Sequence, residues 1–219
     1  PETARVSTPT IATRITVVDP ERPDEAILRA AGAVVETGGL VAFPTESFYG
    51  LGADALDAGA VARVFEVKGR PESKPLLVLV DSMDMVRRLT ARVDDRVRAL
   101  MRRHWPGPLT LVLEAAPGVP VGLTAGTGTV GVRLPGHAVA RGLVSAAGRP
   151  ITAPSANPSD APPPSTAAAV REYFDGRVEL ILDGGPTAGG AASTVADCTV
   201  WPPRVLRQGP VVLETSSES

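Results

Sequence analysis

The sequence predicts an α/β domain, and three observations lead there. Leu76–Val80 is an unbroken apolar run, the mark of a central strand covered on both faces. Asp24–Glu36 sets Ile27, Leu28, Ala31, Val34 and Val35 on one helical stripe and stops at Gly38-Gly39, a strong helix terminator. Short apolar runs and helical stripes then alternate to the end of the chain, with its 22 Gly and 22 Pro supplying breaks between them, a pattern that favours a layered α/β arrangement.

Taken in order, Leu40–Phe43 reads as a buried strand running into a Thr45–Tyr49 loop. Asp57 can cap a helix that continues through Val67 and delivers Lys68 at its C-terminal end. After the Leu76–Val80 strand, helices fit Ser82–Leu89 and Asp94–His104, and strands fit Leu109–Leu113 and Thr129–Leu134. Helices His137–Ala147 and Thr166–Phe174 follow, then strands Val178–Leu182 and Thr194–Cys198. Pro106, Pro108, Pro154 and Pro162–Pro164 mark the loops. Trp105-Pro106-Gly107-Pro108 reads as an aromatic anchor with a rigid turn, and Asp183-Gly184-Gly185 as a strand-ending turn. With no internal repeat and no shift in composition, one domain is expected over 14–213. Residues 1–13 and 214–219, polar and rich in Thr, Ser and Pro, are expected to be loose.

Bulk properties exclude several functions. A net charge of −2, from 22 Lys+Arg against 24 Asp+Glu, gives no chain-wide basic coat for nucleic acid. Cys198, the one cysteine, sits on an apolar stretch and reads as packing; it permits neither an intrachain disulfide nor a cysteine metal cluster. His104 and His137 lie far apart with no third ligand beside them, so neither reads as a metal ligand. Gly126-Thr127-Gly128 lacks the Lys-Ser/Thr of a Walker loop. No apolar run reaches the roughly 18 residues of a membrane span, and the first residues form no secretory segment, so a cytoplasmic protein with no membrane partner is expected.

Two polar pairs carry the chemistry. Lys68-Gly69-Arg70-Pro71 and Pro154-Ser155-Ala156-Asn157 each place two polar residues at i, i+2 beside a proline, a context that biases the backbone toward extended. Extended residues two apart point the same way, about 6.6 Å from one another. Lys68 and Arg70 would then form a double cation, which suits a polyphosphate better than a carboxylate. Ser155 and Asn157 would form a neutral donor/acceptor pair. A solvated turn is the plain alternative for the cations.

More of the chain supports the first reading. Phe43-Pro44-Thr45-Glu46-Ser47-Phe48-Tyr49-Gly50-Leu51 precedes the Lys68–Arg70 segment, and Trp105-Pro106-Gly107-Pro108-Leu109-Thr110 follows it. Then come Val130-Gly131-Val132-Arg133-Leu134-Pro135, Ala153-Pro154-Ser155-Ala156-Asn157, Asp183-Gly184-Gly185 and Ser193-Thr194-Val195. In this order the blocks resemble the YrdC/Sua5 family, the threonylcarbamoyl-AMP synthases, from about Ile15 to about Pro210. The resemblance implies a YrdC-like (DHBP-synthase-like) fold, a twisted mixed sheet with flanking helices around a concave cavity. It also implies synthesis of threonylcarbamoyl adenylate and pyrophosphate from L-threonine, bicarbonate and ATP. Magnesium would arrive with ATP, and a downstream transferase would carry the group to tRNA. By the same resemblance, Lys68, Arg70, Thr129, Ser155, Asn157 and Arg207 match ATP-contacting positions, with Lys68 and Arg70 on the phosphates. Thr45, Arg133 and Ser193 match positions that hold L-threonine; no residue is implied as a dedicated metal ligand.

Read as residues alone, these positions keep alternatives open. Arg133 on an alternating strand is more readily a solvated outward charge, while Ser193-Thr194 is equally turn chemistry and Thr45-Glu46 equally a cap-like loop. The chain also departs from the family pattern. Ser47 replaces a threonine, Leu79 stands where many members have histidine, Ala192 where a glutamate is frequent, and Asp160 where glycine is usual. Two other function classes remain: a relative that makes a carbamoyl adenylate from carbamoyl phosphate, and an RNA-binding module. The second is disfavoured by an aromatic content of 4% and the absence of net positive charge.

Overall fold

The computed structural model describes residues 11–213; the remaining residues of the two termini expected to be loose, 1–10 and 214–219, lie outside it. Thr13, within the first of those segments, donates to Val178 O at 2.6 Å and accepts from Gly176 N–H at 2.9 Å.

Every helix read from the sequence forms. α1 (Glu25–Glu36), α2 (Ala58–Lys68), α3 (Met83–Leu89), α4 (Asp95–His104), α6 (Ala138–Ala147) and α7 (Ala167–Phe174) follow the expected stripes. Their starts are set by side-chain caps from Asp24, Asp57, Ser82, Asp94, His137 and Thr166 on otherwise unpaired first-turn N–H groups. A short α5 (Val121–Thr124) has no apolar stripe long enough to announce it.

The strands are β1 (Arg14–Val17), β2 (Val41–Pro44), β3 (Tyr49–Gly52), β4 (Leu77–Leu79), β5 (Leu109–Glu114), β6 (Thr129–Arg133), β7 (Ile151–Thr152), β8 (Leu180–Asp183), β9 (Thr194–Asp197) and β10 (Arg204–Arg207). The expected mixed α/β architecture around a cavity is borne out, but the strands are shared between two sheets. One runs β1-β8-β2-β3 and the other β10-β9-β5-β6-β4-β7, each mixing parallel and antiparallel pairs. The sheets meet edge to edge at β3 and β7. Thr152 N–H donates to Ala53 O at 2.9 Å, and the Thr152 hydroxyl donates to Leu51 O at 2.9 Å while accepting from Ala53 N–H at 3.0 Å. Isolated bridges Gly50–Ser155 and Asp54–Ile151 continue the seam, so both edges are covered rather than left as templates for aggregation.

β3 begins at Tyr49, the last residue of the expected Thr45–Tyr49 loop, and carries Gly50 and Gly52, a residue type that ordinarily weakens a strand. Here Phe43 of β2 lies across Gly50 and Gly52, and a Cβ at Gly52 would stand 2.9 Å from the Phe43 ring. The glycines make room for the aromatic ring. β4 is the expected central strand, between β6 and β7, with Leu76, Val78, Leu79 and Val80 buried; half-buried Leu77, together with Leu79, also lines a cavity. No helix among the described residues is long and apolar enough to cross a membrane.

A cation-lined cavity as the candidate active site

Beside the seam between the sheets lies a cavity of about 550 Å³. The β2–β3 turn, the segment after α2, β5, β6, the Ala153–Ser155 stretch and the approach to β9 all contribute to its wall. Arg70, Lys74, Arg133 and Arg207 reach it, and no Asp or Glu is among the described wall residues. A concave, low-dielectric wall of one sign concentrates potential and draws in anions.

Six of the nine residues singled out in the sequence are brought together on this wall: Thr45, Arg70, Arg133, Ser155, Ser193 and Arg207. Arg133, the last residue of β6, is 8% exposed, not solvated. Its Nε donates to Gly107 O at 3.0 Å, and its Nη2 pairs with the Glu46 carboxylate, which also accepts from Gly136 N–H at 2.5 Å. Burial pushes the Glu46 carboxyl up, but Arg133's charge and hydrogen bond and the Gly136 N–H outweigh it, and the net shift is downward. The guanidinium is therefore gripped on one side by a fixed carboxylate. His137, near Glu46, is held below its usual range by burial and by Arg141, against the pull of Glu46.

Arg207 on β10 donates from Nε and Nη2 to Ser193 O at 3.0 and 2.9 Å, and from Nη2 to Ser193 Oγ at 3.1 Å. Burial and the neighbouring Arg133 both lower its pKa. Ser193 Oγ also lies 2.9 Å from Thr110 Oγ1. The Thr45 hydroxyl closes the β2–β3 turn by donating to Phe48 O at 2.6 Å. Thr45 thus combines turn chemistry with a place on the wall.

The two polar pairs are not arranged as their spacing predicts. Lys68 ends α2 and Gly69 is its left-handed C-cap (φ 57°), so the segment bends instead of extending. Arg70 reaches the cavity, braced by Lys74 O at 3.2 Å and Pro75 O at 3.0 Å. Lys68 does not; it is 2% exposed and its ammonium donates to Ser155 O at 2.5 Å and Asn157 O at 2.6 Å. Burial, and secondarily Arg70, draw its pKa down to about 8. The second pair is pinched by a main-chain bond from Asn157 N to Ser155 O at 3.0 Å. Ser155 therefore reaches the wall, while Asn157 turns back to Pro158 O and Ala161 O at 2.8 and 2.7 Å and leaves its Oδ1 buried without a partner among the described residues. Thr129 is also off the wall, with its hydroxyl 2.9 Å from that of Thr127.

Lys74 and Thr110 are wall residues that the sequence reading did not select. A third cation just before Pro75 was a usable signal for Lys74; Thr110 ends the Trp105–Thr110 block, but no role was attached to it there. Leu79 and Ala192, the two departures from the family pattern, both face the cavity. Among the described residues, no three His, Cys, Asp or Glu side chains converge to hold a metal ion.

This geometry coincides with a region of sequence kinship. The Sua5/YciO/YrdC family model, described as telomere recombination, matches residues 33–209 and so includes every wall residue. A threonylcarbamoyl-AMP synthase of Pyrococcus abyssi is 48% identical over 194 residues, covering 89% of this chain and 57% of the relative. A putative threonylcarbamoyl-AMP synthase of Mycobacterium tuberculosis is 42% identical over 200 residues, covering 91% of each. Among solved structures, P. abyssi Sua5 complexed with L-threonine superposes with a TM-score of 0.86 at 47% identity, covering 90% of this chain and 57% of that one. The chain thus spans less than two thirds of the archaeal protein's length and nearly all of the mycobacterial one. With the match spanning the cavity and relatives this similar, the chain belongs to the Sua5/YciO/YrdC family.

Proposed function

We propose that the cavity binds ATP and L-threonine and, with bicarbonate, forms L-threonylcarbamoyl adenylate and pyrophosphate, a nucleotidyl transfer. The observation that carries this reading is the wall itself: Arg70, Lys74, Arg133 and Arg207 converge with no carboxylate among the described wall residues, in a chain of net charge −2. That much positive charge in one concave site suits a polyphosphate together with an amino-acid carboxylate. The names of the archaeal and mycobacterial relatives support the same activity.

In this scheme the threonine amine takes up carbon dioxide from bicarbonate to give a carbamate. A carbamate oxygen then attacks the α-phosphorus of ATP, and the bond to the departing pyrophosphate breaks. The chemistry asks mainly for positioning and for neutralising charge as pyrophosphate leaves. Arg70 and Lys74 meet the phosphates, Ser155 meets the nucleotide, and Arg133 takes the amino-acid carboxylate with the donors that Glu46 and Gly107 leave free. Lys68 and Asn157 contribute by holding the Ser155 segment. Magnesium enters as part of MgATP, bound by phosphate oxygens and water, as suits a wall whose described residues include no carboxylate. The product is a mixed anhydride, so a transferase that delivers the threonylcarbamoyl group to tRNA must consume it, in the cytoplasm where ATP and tRNA are supplied.

The test is pyrophosphate release by the purified chain with ATP, magnesium and either L-threonine plus bicarbonate or carbamoyl phosphate. Release that requires both threonine and bicarbonate is expected. Release driven by carbamoyl phosphate alone would replace this reading with the carbamoyl-adenylate one.

A further inference from the structure

The cavity wall contains a small hydroxyl network whose hydrogens can be assigned by exclusion. Ser193 Oγ accepts from Arg207 Nη2 at 3.1 Å, because a guanidinium can only donate. Ser193 Oγ and Thr110 Oγ1 are 2.9 Å apart, so one of the two hydroxyls donates to the other. Thr110 is fully buried on β5 and its hydroxyl has no other hydrogen-bond partner among the described residues, whereas Ser193 is 4% exposed at the cavity. If Ser193 donated to Thr110, the Thr110 hydrogen would be left buried without an acceptor, at the full desolvation cost of an unmade hydrogen bond. If Thr110 donates, that cost disappears. Both Ser193 lone pairs are then filled, and its one hydrogen is left for the cavity.

We infer that Thr110 is a positioning residue that fixes the Ser193 hydroxyl as a hydrogen-bond donor into the cavity, so that Ser193 reads an oxygen acceptor of the amino-acid substrate and not its ammonium group. This rests on the reading of the cavity as a threonine site and assigns a direction to one of its contacts. Arg207 reinforces that direction, since a guanidinium donating to Oγ polarises the hydroxyl toward giving up its own hydrogen. β5 also places Thr110 opposite Val195, two residues past Ser193, so the contact is built on the ladder that fixes the start of β9 and not on a mobile loop.

The experiment is calorimetric titration of wild type, Thr110→Val, Thr110→Ser, Ser193→Ala and the Thr110→Val/Ser193→Ala pair with L-threonine and, separately, with MgATP. Thr110→Val keeps the volume and loses the hydroxyl. It is expected to weaken threonine roughly tenfold, the scale of one misdirected hydrogen bond to a charged group, and to leave MgATP within about twofold. Thr110→Ser should restore threonine binding, and the double variant should bind threonine no worse than Ser193→Ala. Equal losses for both ligands, unchanged threonine binding by Thr110→Val, or failure of Thr110→Ser to restore it overturns the inference. If Thr110→Val does not fold, Thr110→Ala is judged by the same outcomes. A wild-type chain that binds neither ligand overturns the functional reading, a result distinct from any of these.

Discussion

Lys68 is a buried ammonium held by two carbonyl dipoles, with no carboxylate paired to it among the described residues. In the unfolded chain it keeps its proton to about pH 10.5, and in the folded chain only to about 8. Between those values the unfolded state binds more protons, so the Lys68 contribution to stability rises with pH and is lost as pH falls through 8. Replacing Lys68 with Met should remove a pH-dependent difference of roughly 3 kcal/mol across that window, read as the wild-type minus variant unfolding free energy in urea from pH 7 to 11. A flat difference curve would show that the amine is solvated. Taking the difference matters because burial also raises Tyr49 and Cys198, each to about 12, which adds an opposing slope common to both proteins. Lys68→Met should also lower ATP affinity much less in a Ser155→Ala background, because it works through that segment; independent phosphate contacts would give additive losses. The resemblance selected Lys68, but its contacts come from a loop more than eighty residues away in the chain, beyond any local pattern.

α2 and the turn that follows it set the direction of Arg70. Asp57 caps the helix through Gly59 N–H and Ala60 N–H, and Gly69 ends it with a left-handed residue. Nothing lies within 4 Å of where a Cβ at Gly69 would stand, so the glycine is required by backbone conformation alone. Gly69→Ala should cost about 1–2 kcal/mol of stability and weaken ATP binding by turning Arg70 off the wall. Chemical unfolding and ATP titration check both; an alanine variant with unchanged stability would mean that the turn relaxes freely. The helices were legible because each carries its own stripe and its own cap. β1, β3, β7 and β10 were not. Glycines, a length of two residues and flanking arginines hide them, and each becomes a strand through its partner in the sheet.

The assembled chain turns a mild negative net charge into a strongly positive cavity, because the carboxylates of its described residues are kept off the wall and Glu46 is spent behind Arg133. The same assembly sets Leu79 and Ala192 on that wall beside the hydroxyls of Thr45 and Ser193. Threonine should therefore be the best amine substrate, serine measurable and valine poor. A site that hydrogen-bonds the hydroxyl can penalise its loss by up to about 10⁴, against roughly 10–200-fold for shape alone. Adenylate formation from the three amino acids at matched concentration checks this order; valine equal to threonine would mean that the hydroxyl is not read. The α/β class, the positions of the helices and the main strands, and the motif blocks were determined by the sequence, since stripes, caps and apolar runs are local properties and the blocks are strings. The split into two sheets, the burial of Lys68 and Asn157 behind the wall, the clamp of Glu46 on Arg133 and the recruitment of Lys74 and Thr110 were decided by the folded arrangement. Each depends on where one segment's carbonyls and side chains meet another's, and no residue's neighbours along the chain encode that.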